Sequence, residues 1–412
     1  MKINKSTIQY YFLLFIIYGL LLQILFSMQE TFAYMDEIIA LSALFFFRKL
    51  PKPILNILMF FSISLIFALL GNIVHQKQVL PAVLLDFVTF VKFFAVLIVG
   101  YGLFKDGEIF KFRKKIIKHC KFLLVFSFCF VLAVQVPVMG NLLTFVFQRD
   151  VFLHPFGIYY IHNISHPLAL YVFCLYCLYC FLSFLSTENK KKIILIPLVV
   201  GLLSATTVAT VYAVVFVVVF VVFIWKKKQI KSWHFLLAIP LVLLMAWDEI
   251  AFYFFNESGD YGARSVLLLT SFVVARDYFP LGSGFGTYAT SPSAKWHSSL
   301  YSDYGLDKIH GLTEDAPKFI SDSFYPAIIA ETGFIGAGFY LLALFLTFVL
   351  ILKMQNNKYS MIALVLFLLV LFNSVANASF FNILAVFPAF LIGLLSYADK
   401  NKIKLCQKKQ IQ

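Results

Sequence analysis

Arg264 and Arg276 stand twelve residues apart in RSVLLLTSFVVARDY, a run inside the one long polar stretch of an otherwise apolar chain. A guanidinium offers planar, bidentate donation that matches a phosphate. The structural alternative is that each pairs with Asp260, Asp277 or another nearby carboxylate. The run reads as an amphipathic helix with Leu267, Phe272 and Ala275 on one flank. The two arginines then lie about 120° apart on an ideal helix, so they need not share a face. Pro280 stops the helix. Gly282, Gly284 and Gly286 follow, and glycine permits positive φ and close backbone approach. This turn lacks the preceding strand and following lysine of a nucleotide-phosphate loop. Tyr288, Tyr301 and Tyr304 are candidates for stacking on sugar rings, or are ordinary interfacial tyrosines.

A second set of polar residues lies earlier. Arg149 precedes Pro155-Phe156-Gly157, His162 and His166. Histidine at a membrane surface donates to anions, acts as a base or caps the interface. The spacing of His154, His162 and His166 matches no metal-ligand frame, so no metal site is expected. No cofactor is expected either. Asp36, Glu37, Asp86 and Lys92 fall within apolar spans, where charge is costly and implies a partner or a cavity. Lys92 lies about 120° from Asp86 on its own helix and is expected to pair across to Asp36 or Glu37. Cys174, Cys177 and Cys180 recur every three residues along a span and read as small packing residues.

These residues must be positioned by membrane helices. The 412-residue chain is 61% hydrophobic and 13% charged, with a mean hydropathy of +0.89. Its apolar runs are long and do not alternate, which excludes a soluble domain and a barrel. The expected fold is an all-α polytopic membrane protein forming one domain over residues 1–412. About twelve spans are expected, near 10–26, 33–47, 54–73, 82–104, 122–138, 166–186, 193–205, 207–225, 233–248, 325–352, 359–376 and 380–397.

With the N-terminus cytoplasmic, the inside segments hold 26 of the 34 Lys and Arg residues. The net charge of +14 is therefore a positive-inside signal, with both termini cytoplasmic, and not a nucleic-acid surface. No cleavage site follows the first span, which reads as a signal anchor. Two extracytoplasmic loops are long enough to fold, 139–165 and the larger 248–325, which precedes the tenth helix and carries short helices. The larger loop has no cysteine and so no disulfide. Asp322 to Thr332 reads as a helix lying at the outer surface, with Gly333 and Gly336 leading into the next span.

The stretch from Arg264 to Gly336 contains Phe279-Pro280-Leu281-Gly282-Ser283-Gly284-Phe285-Gly286-Thr287-Tyr288, then Asp322-Ser323-Phe324-Tyr325, then Ala330-Glu331-Thr332-Gly333-Phe334-Ile335-Gly336. It resembles the signature loop of the bacterial O-antigen polymerase and ligase superfamily, whose members are C-type glycosyltransferases. By motif the resemblance covers about 75 residues, and by topology the whole chain. It implies a polymerase in the bacterial cytoplasmic membrane that acts on undecaprenyl-diphosphate-linked oligosaccharide repeats of O-antigen or capsule. The growing glycan would be transferred to the acceptor repeat unit. Membrane lipids and a chain-length regulator protein are the further partners it implies.

On the resemblance, Arg264, Arg276 and Arg149 hold the diphosphates, while Asp322 first and Glu331 second orient or deprotonate the acceptor hydroxyl. His162, His166, Gly282, Gly284, Gly286, Tyr288, Asp36 and Glu37 complete the expected substrate-binding set. Ligases carry His where this chain has Asp322, which favours polymerase over ligase. A flippase for the same lipid-linked sugars is the alternative from another class. Transporters generally show internal repeats and a midplane site, whereas this chain concentrates its polar residues in one loop. A sensor or scaffold ranks last.

Overall fold

A computed structural model describes residues 4–26, 30–47, 50–105, 107–148, 151–153, 159–161, 164–184, 200 and 262–401. In chain order the elements are α1 (Lys5–Phe26), the short α2 (Glu30–Ala33) and α3 (Met35–Leu41), α4 (Lys52–His75), α5 (Leu80–Leu103), α6 (Arg113–Val134), α7 (Pro137–Phe147), a hairpin of β1 (Val151–Leu153) and β2 (Tyr159–Ile161), and α8 (Ser165–Phe184). Then come α9 (Ala263–Asp277), α10 (Ser291–Lys295), α11 (Leu300–Asp303), α12 (Phe324–Leu352), α13 (Asn357–Ala376) and α14 (Ile383–Lys400). Among the described residues eight of these, α1, α4, α5, α6, α8, α12, α13 and α14, are long and apolar enough to cross a membrane. The chain is a mostly helical, multi-pass membrane protein. The spans expected at 193–205, 207–225 and 233–248 lie outside the described residues.

Three expectations are corrected. The span expected at 33–47 is broken into α2, α3 and a 3-10 turn, Ser42–Phe45, each too short to cross. The Gln23 side chain donates to the Ala33 carbonyl at 2.8 Å and to Asp36 at 2.6 Å, so a side chain serves the backbone where the helix is interrupted. The loop expected from 139 instead begins with the helix α7, after α6 ends at Val134, and it contains the β1–β2 hairpin. Finally, the segment expected as a surface helix is a 3-10 turn, Ile320–Asp322, followed by the largely buried first turns of α12.

The helices pack as a bundle in which α4 lies on α12, α5 on α14 and α9 on α12. Small residues permit the closest of these contacts. A Cβ at Gly100 would strike the Phe390 backbone, and one at Gly393 the Leu97 carbonyl, so α5 and α14 meet backbone to backbone.

The bundle has two chemically distinct ends. At one, Tyr397 donates its hydroxyl to the Lys105 carbonyl, Asp399 accepts the Gln355 and Asn356 amides, and Tyr10 stacks on Phe112. This end carries Lys105, Lys111, Arg113, Lys114, Lys115, Lys118, Lys353 and Lys358. At the other end the segment 278–323 lies against the end of α4 and the beginnings of α5 and α12.

Candidate functional site

The polar end is organised around an interruption in α12. Gly333 has φ 66° and ψ 176°, which breaks the helix at that residue. Just before the break, the Ala330 carbonyl accepts the Ser283 amide at 2.9 Å, and the Glu331 carbonyl accepts the Gly284 amide at 3.0 Å. Loop backbone thus docks directly on helix backbone. Gly282 and Gly284 have φ of 82° and 94°, and a Cβ on Gly333 would come within 2.7 Å of the Gly282 nitrogen. Only glycine fits such a conformation at such an approach.

The rest of the turn is fixed by side chains from the α4–α5 corner and by Glu331 of α12. Asn72 donates to the Phe285 carbonyl at 3.0 Å and accepts its amide at 2.8 Å. Gln78 donates to the Gly286 carbonyl at 2.8 Å. Asp86 accepts the Gly286 amide at 2.8 Å, and Glu331 accepts the Thr287 and Tyr288 amides at 2.9 and 2.8 Å. Residues 282–290 are all buried, so Gly282, Gly284 and Gly286 face helices.

Tyr288 and Tyr301 are fully buried and stack on each other with ring centroids 6.0 Å apart. Tyr288 donates to the Leu267 carbonyl at 2.9 Å, and Tyr301 accepts the Ala289 amide at 2.8 Å. Burial pushes the Tyr301 hydroxyl up and keeps it protonated. These rings are core to the loop and not open to a sugar. Tyr304 lies nearer the surface and donates to Asp277 at 3.0 Å; burial first, then this bond, raises its hydroxyl.

Arg264 donates from Nη2 to Asp322 Oδ2 at 3.0 Å, with side chains 16% and 27% exposed. The pair is half-buried yet reachable, at the junction of the loop with α12. Arg276, at the far end of α9, is 73% exposed and donates twice to Asp277 at 3.1 Å. Twelve residues of helix place the two arginines about 18 Å apart along the axis. The structure therefore does not bring them together. The buried flank of α9 is Ser265, Leu267, Ser271, Val274 and Ala275; Phe272, expected there, is exposed.

Lys92 is held by Glu37 at 2.7 Å and by Asp36, which also accepts from Gln23. The expected pairing of Lys92 with Asp36 and Glu37 is present, though the two acids lie on the short α3 and not on a span. His166 is half-buried in the first turn of α8. Arg149, His154 and His162 lie outside the described residues. Among the described residues no group of three or more His, Cys, Asp or Glu side chains is arranged to hold a metal.

No family model, curated protein or solved structure matches this chain.

Sequence reasoning passed over Asn72, Gln78 and the role of Asp86. Their signal is weak but physical: carboxamides and a carboxylate at the mouth of a tight α4–α5 connection, where a glycine turn must find partners for its backbone groups.

Proposed function

We propose that this protein is a glycosyltransferase of the cytoplasmic membrane that polymerises polyprenyl-diphosphate-linked oligosaccharide repeats at the outer face. The observation that carries the reading is the Arg264–Asp322 pair, a guanidinium and a carboxylate 3.0 Å apart, half-exposed beside the start of a membrane helix. A guanidinium there can take charge from a departing lipid diphosphate, and the carboxylate it holds can orient an acceptor hydroxyl. Donor and acceptor each carry a diphosphate. Arg276, about 18 Å along the same helix, suits the second head group. The basic end of the bundle supports placing the polar end outside the cytoplasm.

Asp322 stands where a ligase of the resembled superfamily has His, which favours polymerase over ligase. For a transporter the intramembrane charges would need to face a substrate, and here Lys92 is paired with Asp36 and Glu37. Deleting the protein from its host decides between the classes. Polymerase loss leaves single repeat units on the surface, flippase loss leaves none, and ligase loss leaves no glycan on the lipid core.

A further inference from the structure

We propose that α6 carries a seat for an anionic phospholipid at the basic end of the bundle, where Lys114, Lys115 and Lys118 hold the phosphate headgroup and Phe122, Val125 and Phe126 take an acyl chain. The seat is independent of the polymerase reading.

The helix is two-faced. At about 100° per residue, these six positions fall within about 120° of one another. All six are exposed. Ile116, Ile117, Cys120, Leu123, Leu124 and Ser127 fall on the opposite side and are all buried. The buried flank packs against α8. At the edge between the faces, His119 has the Tyr10 hydroxyl 3.1 Å from Nε2 and the Tyr18 hydroxyl 2.8 Å from Nδ1, which ties α6 to α1 and fixes how the helix is turned.

The exposed face changes chemistry once, between Lys118 and Phe122, one turn or about 6 Å along the axis. Beyond that point Phe122 and Phe126 stack with ring centroids 6.5 Å apart. Since α6 is long and apolar enough to cross a membrane, lipid tails are what cover these rings. The lysines one turn away then select the headgroup above those tails. A lysine stem follows apolar surface while its ammonium stays at the polar boundary. An ammonium cluster attracts an anionic headgroup and gains less from a zwitterionic one, which brings its own ammonium.

The three lysines also stand apart from the other described cations in their company. Lys77, Lys92, Arg264 and Arg276 each face a carboxylate. Among the described residues no Asp or Glu forms an ion pair with Lys114, Lys115 or Lys118. Lys115 instead lies over the Phe112 ring, 5.7 Å from its centroid, and Phe112 is stacked on Tyr10 at 4.7 Å.

The test offers the purified full-length protein, in mild detergent, phosphatidylglycerol or phosphatidylcholine with the same acyl chains and counts bound lipid by native mass spectrometry. Wild type is compared with the triple variant Lys114→Gln, Lys115→Gln, Lys118→Gln and with the same three lysines changed to Arg. Phe122→Ala with Phe126→Ala probes the acyl limb. Lys353→Gln with Lys358→Gln removes two other exposed lysines of the same end.

Each lysine beside an anionic headgroup contributes about fivefold in association, so the Gln triple is expected to lose preference for phosphatidylglycerol by about a hundredfold. The Arg triple and the Lys353/Lys358 variant are expected to keep it. The Phe pair is expected to weaken retention of both lipids. Equal retention of the two lipids by wild type overturns the proposal, as does a Gln triple that keeps the preference or a Lys353/Lys358 variant that loses it as far. Unchanged retention in the Phe pair, or displacement of the lipid by glycerol 3-phosphate at equal concentration, would make the face a site for free anions and overturn the lipid seat.

Discussion

Arg264 reaches Asp322 across 58 positions of sequence, joining the first turn of α9 to the 3-10 turn that precedes α12 at 3.0 Å. Lysine keeps the charge of arginine but not its planar fork. Arg264→Ala and Asp322→Asn are each expected to cut polymer to one or a few repeats at normal protein level, with Arg264→Lys intermediate. Glycan length ladders from membranes of matched protein content check this. A full ladder in Arg264→Ala removes the diphosphate role.

Arg276 is the more exposed arginine, and its neighbour Asp277 already engages it. Exposed ion pairs contribute about 0–1 kcal/mol to stability. Arg276→Ala is therefore expected to leave folding unchanged, so any shortening of polymer reports on substrate. Raised KM for the lipid-linked substrate with unchanged thermal stability is the predicted outcome in a reconstituted assay.

Gly282 and Gly305 both have positive φ, but a Cβ at Gly282 meets the α12 backbone while one at Gly305 meets open space. Gly305→Ala is expected to cost about 1 kcal/mol from φ alone. Gly282→Ala adds a backbone clash and is expected to exceed about 3 kcal/mol, undocking the turn. Thermal unfolding in detergent ranks the two, and equal losses would mean that the close approach at Gly333 is not required.

Lys92 lies between two acids inside the bundle. Removing one partner of a buried pair typically costs about 3–5 kcal/mol, while replacing the whole group by neutral residues is often tolerated. Lys92→Met alone is expected to lower the amount of folded protein sharply. Asp36→Asn and Glu37→Gln added to it should restore both protein and polymer. A triple variant that folds but makes no polymer would give these charges a part in the reaction.

Much of this fold is legible in the sequence because lipid imposes one simple rule, that apolar runs close their own hydrogen bonds as helices. The eight described spans and the acidic partners of Lys92 follow from that rule and from the cost of buried charge. The break at 33–47 does not, because a glutamine thirteen residues away supplies the hydrogen bonds that allow it. Nor does the environment of the glycine turn. Positive φ at Gly282, Gly284 and Gly286 is readable from residue type, but their packing on Asn72, Ala82 and Gly333 depends on tertiary placement. For the same reason Tyr288 reads as a sugar platform in sequence and is core in the structure.

The central claim is tested most directly by placing the purified protein in liposomes with one substrate, a polyprenyl-diphosphate-linked oligosaccharide repeat, and following glycan length and released polyprenyl diphosphate together. Wild-type protein is predicted to build polymer and release one polyprenyl diphosphate for each new glycosidic bond, and Arg264→Ala to do neither. Wild-type protein that makes no polymer while moving the intact lipid-linked repeat between leaflets, or an Arg264→Ala protein as active as wild type, would contradict it.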